Sequence, residues 1–427
     1  MEIGTEASVT RVGDLELAFF PCRGDVTQTY TVPAGAHSVY VEAVGGQGET
    51  PNPDHTGWGG AGSQVTGSLS VNPDDQLPVQ VGCKGGTDGG DSPYAHGGAR
   101  GTGHDKQNFT MSSYGVSGGG GGGATAILSP AGHPLVVAGG GGGGAGGATD
   151  CTDISYSIKV SNPPTTINWW VCGPPVRHHG GDGGAAGKPG RAGAVGAGNP
   201  YPAAAGGGAC GGNAVGGNGQ EWDYYGAGGA GGGGGGGYGG GCGGAAAPNE
   251  GIPTHAEGIV GKAGNGGGGG LSFADPSVGS TDIRPADNSG SGYVLFLSGA
   301  DALRTREFAY RGKLESICVP ARTDRIFVDA VGGAGGGDGR GFGGIGTGGS
   351  GGRVQAVVPV RPATVVGLKV GQFGGGRRGW GDGHGGAHGL ASGAGKDGGG
   401  GGGSSAVRST SRPCTATDHG LSEHQYS

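Results

Sequence analysis

Glycine occupies 118 of the 427 positions, and much of it stands in uninterrupted runs. The longest of these runs are residues 118–123, 139–144, 231–237, 266–270 and 398–403. Glycine loses more conformational freedom on folding than any other residue, so an ordered glycine run requires an unusually dense set of contacts. Runs without side chains can meet this requirement as extended left-handed helices that pack closely side by side. We therefore predict a bundle of polyglycine-II helices.

Two other structures are compatible with so much glycine, namely collagen and a disordered chain. The sequence lacks the strict Gly-X-Y period of collagen, which excludes the triple helix. Disorder stays open as an alternative, since segments of this composition often bury too little apolar surface to fold. Hydrophobic residues make up 33% of the chain, which favours small β-sheet cores over one large core.

The charge and the cysteines limit the partners and the compartment. The formal net charge of −7 and the absence of a basic stripe make nucleic acid a poor partner. No apolar run approaches the roughly 18 residues of a membrane span. Eight cysteines without any Cys-x-x-Cys pair favour disulfides in an oxidising compartment over a zinc site. The pairing is open, and the nearest candidates in sequence are Cys151 with Cys172 and Cys210 with Cys242.

Three blocks of the sequence recur in the same order, which indicates a duplicated domain. The blocks and their copies are 38–46 and 325–333, 64–82 and 354–371, and 118–127 and 398–407. The first block has the period-two alternation of a strand in Val39, Val41 and Ala43. Helix signals are scarce, so we predict a mainly β fold, with an antiparallel sandwich in residues 1–299 and a shorter copy in residues 300–427.

The second copy lacks two strands of the first. Residues 135–138 and 293–297 have the continuous apolar character of short buried strands, and neither segment has a counterpart in the second copy. An incomplete sheet leaves an open edge, which pairs readily with a strand of another chain. We therefore expect self-assembly through the second copy, and a small self-contained domain is the alternative.

The order of the glycine motifs resembles a known family. The motifs are residues 118–123 followed by 124–126, residues 134–138 followed by 139–144, and residues 231–237 followed by Tyr238. Across residues 19–298 this order is similar to the glycine-rich extracellular domain of the anaplastic lymphoma kinase and leukocyte tyrosine kinase receptors, and to its bacterial and phage relatives. The resemblance implies a jelly-roll-like β-sandwich with an inserted polyglycine bundle, which serves the receptors as a ligand-binding platform. Phage tail adhesins of similar composition display variable loops on such a bundle.

Aromatic residues in polar, glycine-rich loops are the best binding candidates, because their side chains supply contact area at low entropic cost. These candidates are Trp58, Trp169, Trp170, Trp222, Tyr224, Tyr225, Tyr238 and Trp380. Trp169 and Trp170 belong to a loop-rich insert, residues 150–205, where we expect a surface interaction. For Trp222 and Tyr238 the open alternative is that they cover the ends of the glycine bundle.

Motifs for catalysis or metal binding are weak. Two Gly-x-Ser-x-Gly segments, 115–119 and 348–352, are expected by chance in so glycine-rich a chain, and neither joins a strand to a helix. Asp382, His384 and His388 could bind a divalent ion, although no further ligand is visible in the sequence. Exposed loop side chains without a metal are the alternative.

The sequence therefore predicts a non-enzymatic structural or adhesive protein of a virion or a cell surface, without a cofactor. Such a protein would present binding loops to protein partners or to a cell-surface glycan, either extracellularly or on the virion. A secreted receptor-like or ligand-binding module is the alternative. The tripeptide Arg23-Gly24-Asp25 has the form of an integrin motif, which chance also explains in a chain this rich in glycine.

Overall fold

The computed structural model of the chain shows a mainly β protein with two compact units, residues 4–301 and, in the main, residues 302–427. It describes residues 7–12, 15–50, 57–102, 117–150, 153–161, 164–172, 176–178, 215–219, 229–246, 264–286, 290–299, 308, 312–319, 323–333, 335, 351–372, 374, 384, 401–414 and 419–420. These described residues contain strands and connecting segments but no helix.

The strands of the first unit are β1 Ser8–Val12, β2 Leu15–Pro21, β3 Gln28–Thr31, β4 Ser38–Val44, β5 Ser63–Ser70, β6 Gln76–Gln80, β7 Thr125–Leu128, β8 Pro134–Ala138, β9 Ala148–Asp150, β10 Asp153–Ser161, β11 Pro164–Cys172, β12 Val176–His178, β13 Phe273–Ala274, β14 Gly279–Pro285 and β15 Tyr293–Ser298. Those of the second unit are β16 Glu315–Cys318, β17 Arg325–Val331, β18 Arg353–Pro359, β19 Thr364–Lys369, β20 Ala406–Pro413 and β21 His419–Gly420.

Two antiparallel sheets dominate the first unit. The larger sheet has the strand order β1-β2-β15-β4-β5-β14, and the smaller sheet has the order β13-β8-β7-β6-β3. The last strand, β15, therefore lies between β2 and β4, which come from the beginning of the chain. Two short antiparallel pairs, β10–β11 and β9–β12, lie in the region where the sequence predicted a loop-rich insert.

One hydrophobic core joins the two sheets. Its buried side chains come from β2, β4, β5 and β15 on one side and from β3, β6, β7 and β8 on the other. At its centre Phe296 stacks on Tyr30 with ring centroids 4.0 Å apart, and it meets Phe20 edge-on at 5.7 Å. Burial raises the pKa of Tyr30 to about 12, because the ionised phenolate would lose its hydration. The two sheets therefore pack face to face around aromatic rings.

The burial of individual strands confirms the sequence patterns that predicted them. Along β5, buried residues alternate with partly exposed ones, and Val65 and Leu69 both point into the core. Strand β15 is buried along its whole length, as its continuous apolar sequence predicted, because it lies inside its sheet between two neighbouring strands. The period of the apolar residues thus distinguishes a strand with one covered face from a strand buried on both faces.

The second unit has a smaller core. Its buried side chains are Ile317, Val319, Val360, Val366 and Leu368. One sheet has the order β20-β19-β16-β21, in which β21 runs parallel to β16, and β17 and β18 form a separate antiparallel pair. Among the described strands, β20 is bonded only to β19, and β17 is bonded only to β18.

Each unit contains a disulfide. Cys22 is bonded to Cys83 with 5.3 Å between their Cα atoms, and Cys318 is bonded to Cys414 with 5.5 Å between theirs. Disulfides of this kind are typical of proteins that fold outside the reducing cytosol. Cys242 is also disulfide-bonded. Neither candidate pair from the sequence is tested, because Cys151 and Cys210 lie outside the described residues and Cys172 is described only as part of β11.

Glycine-rich segments of the first unit lie side by side and hydrogen-bond to one another through their backbones. We call these segments the glycine array: residues 45–48, 57–62, 82–90, 97–101, 118–123, 139–147, 216–219, 229–237, 239–246 and 264–271. They have neither helix nor strand bonding within themselves. Most of their residues are buried, including every residue of the four long runs 118–123, 139–147, 229–237 and 264–270.

The backbone donors of the glycine array repeat every third residue. In the run 118–123, Gly118 and Gly121 donate to one neighbouring run at 3.0 and 2.9 Å. Gly119 and Gly122 donate to a second neighbouring run at 2.7 and 2.8 Å. Each run is therefore held by several neighbours at once, which satisfies the backbone groups that burial removes from water.

The same period of three appears in the run 139–147. Gly140 and Gly143 donate to one neighbour at 2.8 and 2.7 Å, while Gly141 and Gly144 donate to another at 2.9 and 3.1 Å. The spacing between runs leaves no room for side chains. A Cβ built on almost any glycine of the long runs would lie closer than 3.0 Å to the backbone of an adjacent run. Glycine is therefore required by close backbone approach, and the array is a packed part of the fold.

Candidate functional site

An exposed aromatic surface lies where two glycine runs end. Tyr238 follows the run 229–237, and its ring stacks on Phe273 with centroids 4.2 Å apart and an angle of 11° between the planes. Half of Tyr238 remains exposed. Leu271, which follows the run 264–270, is 36% exposed. We call Tyr94, Tyr238, Leu271 and Phe273 the aromatic face.

Tyr94 belongs to the aromatic face because its phenol lies near that of Tyr238. Burial raises the pKa of Tyr94, and the nearby phenol of Tyr238 adds a smaller effect in the same direction. The rings of Tyr94 and Phe273 also pack on a small cluster of buried side chains that includes Ala95 and Val137. The aromatic face thus rests on the protein interior on one side and meets solvent on the other.

Backbone bonds fix the positions of these side chains. The N–H of Tyr238 donates to the carbonyl of Leu271 at 2.8 Å, and the N–H of Leu271 donates to the carbonyl of Gly239 at 2.7 Å. Leu271 lies directly over Gly239, where an added Cβ would come within 3.1 Å of its Cδ1 atom. Phe273 is held by strand β13, which pairs it with Val137 of β8. A surface mounted on such short, bonded connections loses little entropy when it binds a partner.

The sequence predicted only part of this surface. Tyr238 was a candidate, and its place directly after seven consecutive glycines was a usable signal, since a side chain there must lie at an end of the buried run. The same signal marks Leu271, which follows five consecutive glycines. Tyr94 and Phe273 carried no such signal, because the turn and the two-residue strand that hold them become neighbours only in the folded chain.

The other predicted binding residues are placed as follows. Trp58 is 54% exposed beside a run of the glycine array. Trp169 and Trp170 lie in β11, in register with Tyr156 and Ser155 of β10. Several candidates lie outside the described residues: Trp222, Tyr224, Tyr225, Trp380, Asp382 and His388. His384 is described and exposed, so the structure brings no metal candidates of that segment together.

The chemistry available at the aromatic face is that of contact and hydrogen bonding. Its members offer flat apolar rings and two phenol hydroxyls, which suit stacking against a ligand and donation to it. The two Gly-x-Ser-x-Gly segments lie partly outside the described residues. No protein-family description and no curated protein sequence matches this chain. Within the part of the chain that the structure describes, no helix has the length and hydropathy needed to cross a bilayer.

Proposed function

We propose that this protein is a non-enzymatic structural and adhesive protein of a virion or a cell surface. It presents contact surfaces on a polyglycine-II scaffold and assembles with other chains. The observation that carries the proposal is the glycine array, whose buried runs are bonded on several sides and therefore form a rigid platform. The disulfides support an oxidising environment outside the cytosol.

The period of three in the donors supports the polyglycine-II assignment. A polyglycine-II or polyproline-II chain has three residues per turn and no hydrogen bonds of its own, so residues one turn apart face the same neighbour. The pairs Gly118 with Gly121 and Gly140 with Gly143 behave in this way. A run of six residues then spans roughly 19 Å at the rise of this helix, which is about the length of a β-strand. The helices and the two sheets can therefore form matched layers of a jelly-roll-like sandwich.

The strand registers support the duplicated domain. The β4–β5 ladder pairs Ser38 with Ser70, and the β17–β18 ladder pairs Arg325 with Pro359, at displacements of 287 and 289 residues. The β3–β6 and β16–β19 ladders have the same two displacements. The β6–β7 and β19–β20 ladders also match, with a displacement of 280 for the third block. These displacements are those at which the sequence blocks recur.

Local backbone details agree with the same correspondence. Asp74 and Ala363 both have positive φ, at 65° and 56°. Each donates its N–H at 3.0 Å to a carbonyl at the end of the preceding strand, Val32 for Asp74 and Val319 for Ala363. A positive φ is strained for a residue with a side chain, so its recurrence at corresponding positions is unlikely to arise by chance. We infer that the second unit repeats three ladders of the first.

Self-assembly follows from the edges of the second unit. In the first unit β4 is flanked by both β5 and β15, whereas its counterpart β17 has one neighbour among the described strands. Backbone groups at such an edge are a template for another strand. We propose that β17 pairs with β17 of a second copy, because a symmetric edge-to-edge contact uses the same strand from both chains.

A proline at Asp329 tests this assembly. The N–H of Gly332 donates to the carbonyl of Gly352, so alternate donors of β17 face β18 and the N–H of Asp329 faces the open edge. We expect the wild-type chain to sediment as a dimer at micromolar concentration and Asp329→Pro to sediment as a monomer. Asp329→Ala keeps the N–H and should remain dimeric. A wild-type monomer, or a dimer in Asp329→Pro, would contradict the proposal.

The aromatic face is the proposed contact surface, and its ligand is a saccharide of a cell surface. Phe273 covers one face of the Tyr238 ring, and the exposed part of the ring offers a flat surface for the C–H groups of a sugar ring. The phenols of Tyr94 and Tyr238 can donate to sugar hydroxyls.

Glycan-array binding tests the surface and, with it, the proposed function. We expect Tyr238→Ala to weaken binding of the recognised glycan by roughly tenfold or more, the typical loss at an aromatic centre of an interface. Trp58→Ala removes an equally exposed aromatic side chain from a different place and should leave binding unchanged. Binding to no glycan, or equal binding by Tyr238→Ala and wild type, would refute the saccharide assignment.

A further inference from the structure

Three potential metal ligands meet on the surface of the first unit. They are Asp25, Asp91 and His96, and one ligand atom of each lies within 4.8 Å of the other two. The Nε2 atom of His96 is 3.5 Å from Oδ1 of Asp25. Two carboxylates at this separation repel each other, and a neutral imidazole does not compensate them. A divalent cation would balance their charge.

The turn that carries Asp91 and His96 is closed by its own hydrogen bonds. The N–H of Gly97 donates to the carbonyl of Gly90 at 2.9 Å, which joins the two ends of the turn. Inside the turn, the buried hydroxyl of Ser92 donates to the carbonyl of Ala124 at 2.5 Å. This hydroxyl also accepts the N–H groups of residues 94 and 95. Asp91 and His96 are therefore presented by a fixed backbone, in contrast to ligands on a free glycine-rich loop.

Asp25 is anchored to the same structure by a covalent bond. It lies three residues after Cys22, which is bonded to Cys83. The N–H of Cys83 donates to the carbonyl of Asp91 at 2.8 Å. The side chain of Gln80 donates to the hydroxyl of Thr27 at 3.0 Å, which fixes the other end of the loop. The disulfide and these bonds hold the two carboxylates in one place before any ion binds.

We propose that Asp25, Asp91 and His96 form a site for a divalent transition-metal ion, with Zn²⁺ as the best fit. One imidazole nitrogen and two carboxylate oxygens suit zinc, whereas calcium and magnesium prefer sites made of oxygen alone. Three protein ligands leave a fourth position for water or for a group of a partner. The side chains of Asp25 and His96 are 62% and 46% exposed, so this position faces solvent. The ion would link the loop after β2 to the glycine array.

The site was not predicted from the sequence. Asp25 attracted attention only as part of an integrin-type tripeptide, and the metal candidates were sought among neighbours in sequence. Asp91 and His96 lie more than sixty positions from Asp25 and share no motif with it. The disulfide between Cys22 and Cys83 brings the segments together, and its pairing was open at the level of the sequence.

Calorimetric titration of the chelator-treated full chain with Zn²⁺ tests the proposal. We expect one tight binding event per chain in the wild type, weakened by tenfold or more in both His96→Ala and Asp91→Asn, because each removes a direct ligand. His133→Ala removes an exposed histidine from a different turn and should bind as the wild type does. Co²⁺ in place of Zn²⁺ should give a visible absorption spectrum that His96→Ala loses.

Melting temperatures measured in chelator verify that the variants fold. Should Asp91→Asn unfold, Asp25→Asn serves in its place, because Asp25 lies in an exposed loop. Equal zinc affinity in the wild type and His96→Ala would overturn the proposal and leave an ion pair between His96 and Asp25. Equal losses in His96→Ala and His133→Ala would also overturn it, since they indicate unspecific binding to surface histidines. The outcome is independent of glycan binding.

Discussion

Replacing Gly121 by alanine is expected to lower the free energy of unfolding of the first unit by about 3 kcal/mol, the usual cost of overfilling a packed interior. The added Cβ would lie closer than 3.0 Å to three backbone atoms of Gly234 and Gly235. Backbone cannot rotate away as a side chain can. Both runs are held by further hydrogen bonds, for example from Gly121 to Gly98 and from Gly234 to Gly217. The methyl group can therefore be accommodated only by separating buried runs.

Gly86→Ala is the matched control. Gly86 belongs to the same array, but the nearest atom to its added Cβ is a carbonyl oxygen at 3.8 Å, which is ordinary contact. Alanine also restricts the unfolded chain, so this variant should be neutral or more stable by about 0.5 kcal/mol. Urea unfolding followed by tryptophan fluorescence measures both, since four of the five tryptophans lie in residues 4–301. Equal stability of the two variants would show that the array yields to a methyl group.

The strands were predictable because their side chains record which face is covered. Val65 and Leu69 alternate with partly exposed residues, and the continuous apolar sequence of β15 matches its complete burial. Glycine runs carry no such record, since each residue is identical to the next. The sequence predicted that the runs pack together, but it could not predict that Gly118 and Gly119 face different neighbours. That choice depends on backbone bonds between distant segments.

The candidate sites were less predictable than the fold, for a related reason. The aromatic face combines Tyr94 with Phe273, which are separated by most of the first unit and joined only by the packing of β8, β13 and the array. Tyr238 was predictable because it ends a long glycine run. A side chain at the end of a buried run must lie at the surface of the bundle, whereas the identity of its neighbours depends on the folded chain.

The disulfides add a feature that the proposed duplication does not supply. Cys83 of the first unit corresponds to Gln372 of the second at the displacement of 289 residues that relates β5 to β18. The bond from Cys318 to Cys414 instead joins β16 to the segment after β20, across the strand that lies between them. The second unit has only a small core, so a covalent connection across its sheet offsets its limited apolar burial. The two copies are therefore stabilised at different places.

Phe296→Ala is expected to lower the free energy of unfolding of the first unit by about 3–5 kcal/mol, because it removes a buried ring and leaves a cavity. Phe296 is fully buried and contacts both Tyr30 and Phe20. It lies in the larger sheet and stacks on a ring of the smaller one, so its loss weakens the contact between the sheets. Val9→Ala, on an exposed edge strand, should change stability by less than about 0.5 kcal/mol.

The comparison of Phe296→Ala with Gly121→Ala distinguishes two accounts of the protein. If the glycine array is a packed layer, adding one carbon atom to it costs about as much as removing a whole ring from the core, within the range of roughly 3 kcal/mol given above. If the runs are flexible connections, Phe296→Ala alone is destabilising and Gly121→Ala behaves like Val9→Ala. The second result would remove the rigid platform on which the proposed adhesive function depends, while leaving the two β-sheets intact.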